Sequence, residues 1–192
     1  MFETNIKSII QESINTKLMV IEDDALVSKI SLSAEKCIYA FQHNHKILFC
    51  GNGGSSADAQ HLAAEFSGRF YKDRPPLYSE ALHTNTSYLT AVGNDYGYDF
   101  VYSRLIKGMG QPGDILFGLS TSGNSNNIIK AFEIAKEKGM LCIAMTGKTG
   151  GKMASLADIL INIPSSDTPR IQESHITVGH IICELVEKTL FP

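Results

Sequence analysis

The chain has 192 residues, 43% of them apolar and 19% charged, with 17 Lys and Arg against 20 Asp and Glu for a formal net charge of −3. That length suits one domain with an extra arm, and the apolar content excludes a wholly disordered chain. A weakly acidic chain without a basic run is a poor candidate for an electrostatic grip on nucleic acid.

Residues 1–42 read as helical. Ile6, Ile9, Ile10, Ile14 and Leu18, then Ile30, Leu32, Cys37, Ile38 and Phe41, recur at steps of three and four. A break near Glu22-Asp23-Asp24 divides the run into two helices, an arm able to cover a partner as well as the chain's own sheet. Residues 1–11 mix Glu3, Lys7 and Gln11 with apolar neighbours. They lack the basic start and apolar block of a secretory leader, so a cytoplasmic location is expected.

From Lys46 the pattern changes. Short apolar runs at 46–50, 114–119, 140–145 and 158–163, with 78–82 as a weaker fifth, read as strands buried on both faces. Helical patterns at 56–67, 128–138 and 171–190 alternate with them. Strand alternating with helix predicts a doubly wound α/β fold. No linker interrupts it, so residues 1–192 form one domain, with 1–42 as arm and 43–192 as core. No apolar run approaches the ~20 residues that span a bilayer, so no membrane partner is expected. Cys37, Cys50, Cys142 and Cys183 form no C-x-x-C and read as reduced, buried thiols.

Two strands end in loops of small, donor-bearing residues, each opening a helix: Gly51-Asn-Gly-Gly-Ser-Ser56 and Ser120-Thr-Ser-Gly-Asn-Ser125. In a doubly wound sheet, ligands lie beyond the carboxyl ends of the strands. Helix N-termini there offer free N–H groups and partial positive charge, glycines let the backbone approach, and hydroxyls add donors. A phosphate on Ser120, Thr121, Ser122 and Ser125 is expected. A purely structural reading stands beside it: Ser55-x-x-Asp58 resembles a capping box and Ser125 an N-cap. A dinucleotide is disfavoured, because Gly51-x-Gly53-x-x-Ser56 lacks the third glycine and no acid follows Ala81-Leu82-His83.

His61 and Glu65, four apart, share one helix face. Thr168 as N-cap and Pro169 at the first position open the last helix, which carries Gln172 and His180 roughly 80° apart. If the two helices face each other the four side chains converge. Such a set can hold Zn²⁺ or another divalent ion, or supply an acid–base pair. Gly93-Asn94-Asp95-Tyr96-Gly97 reads as a turn, either a plain one or one that places Asp95 on a sugar hydroxyl. Arg69 offers a cation close by.

Taken together, Gly51-Asn-Gly-Gly-Ser-Ser-Ala-Asp-Ala-Gln-His61, Glu65-Phe-Ser-Gly-Arg69, Gly93-Asn-Asp95, Ser120-Thr-Ser-Gly-Asn-Ser125, Thr146-Gly-Lys, Gly150-Gly-Lys-Met153 and Arg170-Ile-Gln-Glu173 with His180 resemble the phosphoheptose isomerases of the sugar-isomerase (SIS) domain family. The resemblance spans nearly the whole chain. It implies a three-layer, flavodoxin-like, five-stranded parallel sheet and a homotetramer with active sites between subunits. It implies conversion of sedoheptulose 7-phosphate to D-glycero-D-manno-heptose 7-phosphate, the first step of heptose synthesis for lipopolysaccharide or capsule. It implies zinc, one ion per subunit, on His61, Glu65, Gln172 and His180. It also implies substrate contacts from Asn52, Gly53, Gly54, Glu65, Asn94, Asp95, Ser120, Thr121, Ser122, Ser125 and Gln172. Some members carry an acid directly before Arg-Ile-Gln-Glu, where this chain has Pro169. Glu65 and His180 are the expected proton-transfer pair. A non-catalytic SIS-domain protein, sensing a sugar phosphate or associating with a replication initiator, is the alternative.

Overall fold

A computed structural model describes residues 2–192. Two helices come first, α1 (Phe2–Glu22) and α2 (Asp24–Gln42). They part where expected, because the Asp23 side chain accepts from Leu26 N at 2.9 Å and starts a new helix. Five strands follow: β1 (Ile47–Gly51), β2 (Ser79–Ala81), β3 (Ile115–Ser120), β4 (Leu141–Thr146) and β5 (Ile159–Asn162). All pair in parallel, in the order β2-β1-β3-β4-β5. That order reverses direction between β1 and β3, which is where a doubly wound sheet opens a crevice.

The sheet is the middle of three layers. On one face α2, α3 (Gly54–Ser67) and α7 (Thr168–Leu190) bury Ile30, Cys37, Leu62, Phe66 and Ile182 against Phe49 and Phe117. On the other, α4 (Thr86–Tyr96), α5 (Val101–Met109) and α6 (Asn126–Glu137) bury Val92, Tyr102, Ile106 and Phe132 against Leu48 and Leu116. Gly118 in β3 lets α6 sit close, since a Cβ there would meet the Phe132 ring at 2.5 Å. α1 buries little, and Ile6, Ile10, Ile14, Leu18 and Ile21 along it are exposed. No helix of the described residues is long and apolar enough to cross a membrane.

Three local expectations change. Residues 83–113 hold two helices where none was read. Asn85 caps α4 by accepting from Tyr88 N at 3.0 Å, and Val92 turns into the core. Asn94, Asp95 and Tyr96 are therefore the last turn of a helix rather than a free turn, which ends at Gly97 with φ +91°. At α7 the N-cap position is Asp167, without a side-chain bond, and Thr168 is already helical. Pro169 lies in the first turn, where its missing N–H costs nothing.

Candidate active site

The crevice between β1 and β3 is built from both loops. Gly51 is packed so tightly that a Cβ there would overlap the Ser55 carbonyl, and the buried Tyr102 hydroxyl donates to its oxygen. Gly53, at φ +57°, turns the chain into α3. The capping box is not formed: the cap position is Gly53, no side chain caps the helix, and Ser56 Oγ instead donates to Gly53 O at 2.7 Å. The N–H groups of Ser55, Ser56 and Ala57 turn back onto Asn52 O and Gly53 O at 3.1–3.3 Å, which tightens the start of α3.

Asn52 exchanges two amide hydrogen bonds with the buried Asn127 of α6, each 2.9 Å, and accepts from the Tyr98 hydroxyl at 3.3 Å. This pairing joins the first loop to the start of α6 and to the segment that carries Asn94 and Asp95. Asn94 Nδ2 donates to Asp95 Oδ1 at 2.9 Å, and both residues are exposed. Neither Asn127 nor Tyr98 carried a signal in the sequence beyond lying near a loop.

In the second loop, Ser125 occupies the N-cap position of α6 but does not cap it. Its hydroxyl meets that of Ser120 at 2.9 Å, while Ser122 Oγ lies 3.5 Å from Ser120 Oγ and accepts from Asn124 N at 3.1 Å. Three hydroxyls therefore gather at the mouth of one helix. Gly123, at φ +65°, permits this turn and lies directly against Gly150.

The second half of the site comes from α3 and α7. Gly179 lets these helices cross closely, since a Cβ there would meet Leu62 Cδ1 at 2.5 Å. The neighbouring residues His61 and His180 consequently meet, Nε2 to Nε2 at 2.9 Å, although 119 residues separate them. Glu65 Oε1 stands 3.0 Å from His61 Nε2. One ligand atom from each of the three residues lies within 4.8 Å of the others. Two imidazole nitrogens at that distance need a proton between them or a cation that both can bind. Two nitrogens and a carboxylate oxygen are a donor set that suits zinc, and the fit is good.

Gln172, the fourth member of the expected set, stands eight residues before His180, about 12 Å along the helix axis. Its carboxamide lies over Gly54, where a Cβ would meet Nε2 at 2.5 Å. The structure thus joins His61, Glu65 and His180, and places Gln172 beside the first loop.

Arg74 and Glu187 hold this half in place, and no motif announced them. The Arg74 guanidinium donates to the last carbonyls of α3, Glu65 O and Phe66 O, both at 2.8 Å, and through Nε to Glu187 Oε1 at 3.1 Å. Glu187, on α7 and 2% exposed, also accepts from the backbone N–H groups of Phe70, Tyr71 and Lys72. Burial alone would raise its pKa, but these donors outweigh burial and hold it below the ordinary carboxylate value. His175, which the motifs left without a role, is fully buried against β4 with Nε2 3.2 Å from Thr146 O. Arg69 is exposed.

Residues 10–147 match the family model described as SIS domain. The phosphoheptose isomerase of Aneurinibacillus thermoaerophilus is 58% identical over 97% of this chain and 94% of its own length. That of Sulfurimonas denitrificans is 53% identical over 97% and 95%. Among solved structures, phosphoheptose isomerase GmhA from Neisseria gonorrhoeae superposes with a TM-score of 0.92 at 42% identity, covering 98% of this chain and 100% of that one. The enzyme from Francisella tularensis gives 0.93 at 33%, covering 98% and 99%.

Proposed function

Since the chain belongs to the SIS domain family, and within it to the phosphoheptose isomerases, we propose that it converts sedoheptulose 7-phosphate to D-glycero-D-manno-heptose 7-phosphate with Glu65 and His180 as its proton-transfer pair. The observation that carries this reading is the meeting of these two side chains with His61, one ligand atom of each within 4.8 Å of the others. The conversion opens heptose synthesis.

Isomerisation moves one proton between carbons and one between oxygens. Glu65 takes the proton from C1 of the ketose while His180 gives one to the carbonyl oxygen on C2, producing an enediol. Glu65, its proton exchanged with solvent while the enediol is bound, then protonates C2, and His180 recovers a proton from the hydroxyl on C1, leaving the aldose and both residues as they began. A positioned acid or base of this kind supplies about 10²–10⁴-fold. Glu65 presents Oε1 to His61 and keeps Oε2 for the carbon proton.

The phosphate sits on Ser120, Thr121, Ser122 and Ser125 at the start of α6. Anchoring there fixes the reacting end of the sugar without touching it. Asn52, Gly53, Gly54 and Gln172 line the sugar from the first loop, and Asn94 and Asp95 from the end of α4. His61, Glu65 and His180 would hold zinc, one ion per subunit, with Glu65 Oε2 and the second ring nitrogen of His180 left for the proton transfers. When bound, zinc supplies polarisation of an oxygen and stabilises enediolate charge. Gln172 reaches that ion only by swinging its carboxamide from Gly54 toward His180.

The working form is a homotetramer whose active sites lie between subunits. The apolar stripe of α1, with Ile181 and Leu185 exposed on α7, is the surface that such contacts would cover. His61, half exposed in one chain, would be enclosed in the assembly. Four buried free thiols suit the reducing cytoplasm.

Incubation with sedoheptulose 7-phosphate in deuterated water, followed by NMR, tests the chemistry. Deuterium at C2 of the aldose is expected. Binding of the sugar phosphate with neither conversion nor deuterium uptake would overturn the proposal.

A further inference from the structure

Thr146-Gly147-Lys148 closes β4 and takes no part in the reading above. Its backbone is locked against the phosphate loop. Gly147 N donates to Thr121 O and Lys148 N to Ser165 O, each at 3.0 Å. A Cβ on Gly147 would meet Thr121 O at 2.7 Å, so nothing larger than glycine lets the two loops lie this close.

Between them opens a cavity of about 310 Å³, lined by Thr121 and Ser122 on one side and by Lys148, Ser165, Ser166 and Thr168 on the other. Lys148 is the one charged residue in its lining. The Lys148 side chain is exposed, and among the described residues its ammonium forms no ion pair. Arg170, the neighbouring cation on α7, is instead committed to Glu173 at 2.7 Å and Asp167 at 3.9 Å.

A phosphate monoester carries about −1.5 to −2 charges at pH 7. The hydroxyls of Ser120, Ser122 and Ser125 are neutral, and a helix N-terminus offers only about half a unit charge. The loop as described therefore leaves most of the anion's charge without a counterpart. We propose that Lys148 is that counterpart: it reaches across the cavity and pairs with the substrate's phosphate from the β4 side. It is a substrate-binding residue that selects phosphorylated sugars, and it takes no part in the proton transfers. The inference rests on the phosphate placement proposed above.

Steady-state kinetics of Lys148→Met, Lys148→Arg and Ser122→Ala, with inorganic phosphate as a competitive inhibitor, test it. Loss of one charge-assisted contact predicts that Lys148→Met raises KM about tenfold to a hundredfold with kcat within about threefold. The inhibition constant of phosphate rises in parallel, and Lys148→Arg recovers most of both. If Ser122→Ala raises KM and weakens phosphate inhibition while Lys148→Met does neither, Lys148 is not the cation and the phosphate placement stands. If neither variant moves either constant, the placement itself is wrong and this inference falls with it. A fall in kcat alone for Lys148→Met also overturns the assignment.

Discussion

His175 should make the fold acid-sensitive in a way that one substitution can isolate. Its ring is fully buried, Nε2 donates to Thr146 O at 3.2 Å, and Nδ1 has no hydrogen-bond partner. Protonation would bury an N–H⁺ with nothing to accept it, and burial accordingly pushes the pKa from 6.5 down to about 4. The unfolded chain binds the proton more readily than the folded one, so stability is whole above pH 6.5 and falls as pH drops from there toward 4. Between pH 7 and pH 5 this one group costs about 2 kcal/mol, and below pH 4 about 3 kcal/mol. Glutamine keeps a neutral donor for Thr146 O at every pH. Urea unfolding of the parent and His175→Gln at pH 7 and pH 5, at one protein concentration, should therefore show the parent losing about 2 kcal/mol more than the variant. Carboxylates titrate alike in both chains and cancel in the comparison. Equal losses would refute the argument that an unpartnered, buried Nδ1 resists protonation.

Glu65→Gln should lower kcat by about 10²–10⁴-fold while leaving the dissociation constant for sedoheptulose 7-phosphate nearly unchanged, and turnover close to the parent's would remove Glu65 as the base. Zinc added to chelator-treated protein should raise Tm, by the equivalent of about 2.7 kcal/mol at a hundredfold excess over Kd, and His61→Ala should abolish that rise. Glu187→Gln leaves the buried Arg74 guanidinium without its counter-charge and should destabilise the fold by about 3–5 kcal/mol in urea unfolding. A change below about 1 kcal/mol would mean that this pair does not hold the end of α3.

The strands were legible because parallel strands covered on both faces read as unbroken apolar runs, as Ile115–Ser120 and Leu141–Thr146 do. The two loops proposed to hold the substrate were legible because glycine and hydroxyl residues follow those strands directly. α4 and α5 escaped, since glycines at 93, 97, 108 and 110 and the polar Asn94-Asp95 pair mask a helical rhythm that Val92, Val101, Tyr102 and Ile106 do carry. His61 and Glu65 could be paired from spacing alone, because neighbours on a helix are a local matter. Whether His180 joins them depends on how α3 crosses α7, a distance no local rule supplies. The Arg74–Glu187 clamp was illegible for the same reason: its partners are 113 residues apart and belong to no motif.

The crossing of α3 and α7 makes position 179 a gauge for the histidine pair one residue away. The gap between two imidazoles is calibrated by a hydrogen atom where every other amino acid would place carbon, and Leu62 already fills the room such a carbon would need. Even alanine here would force Leu62, or the helices themselves, to give way. It would reset the spacing of His61 and His180 without touching either residue.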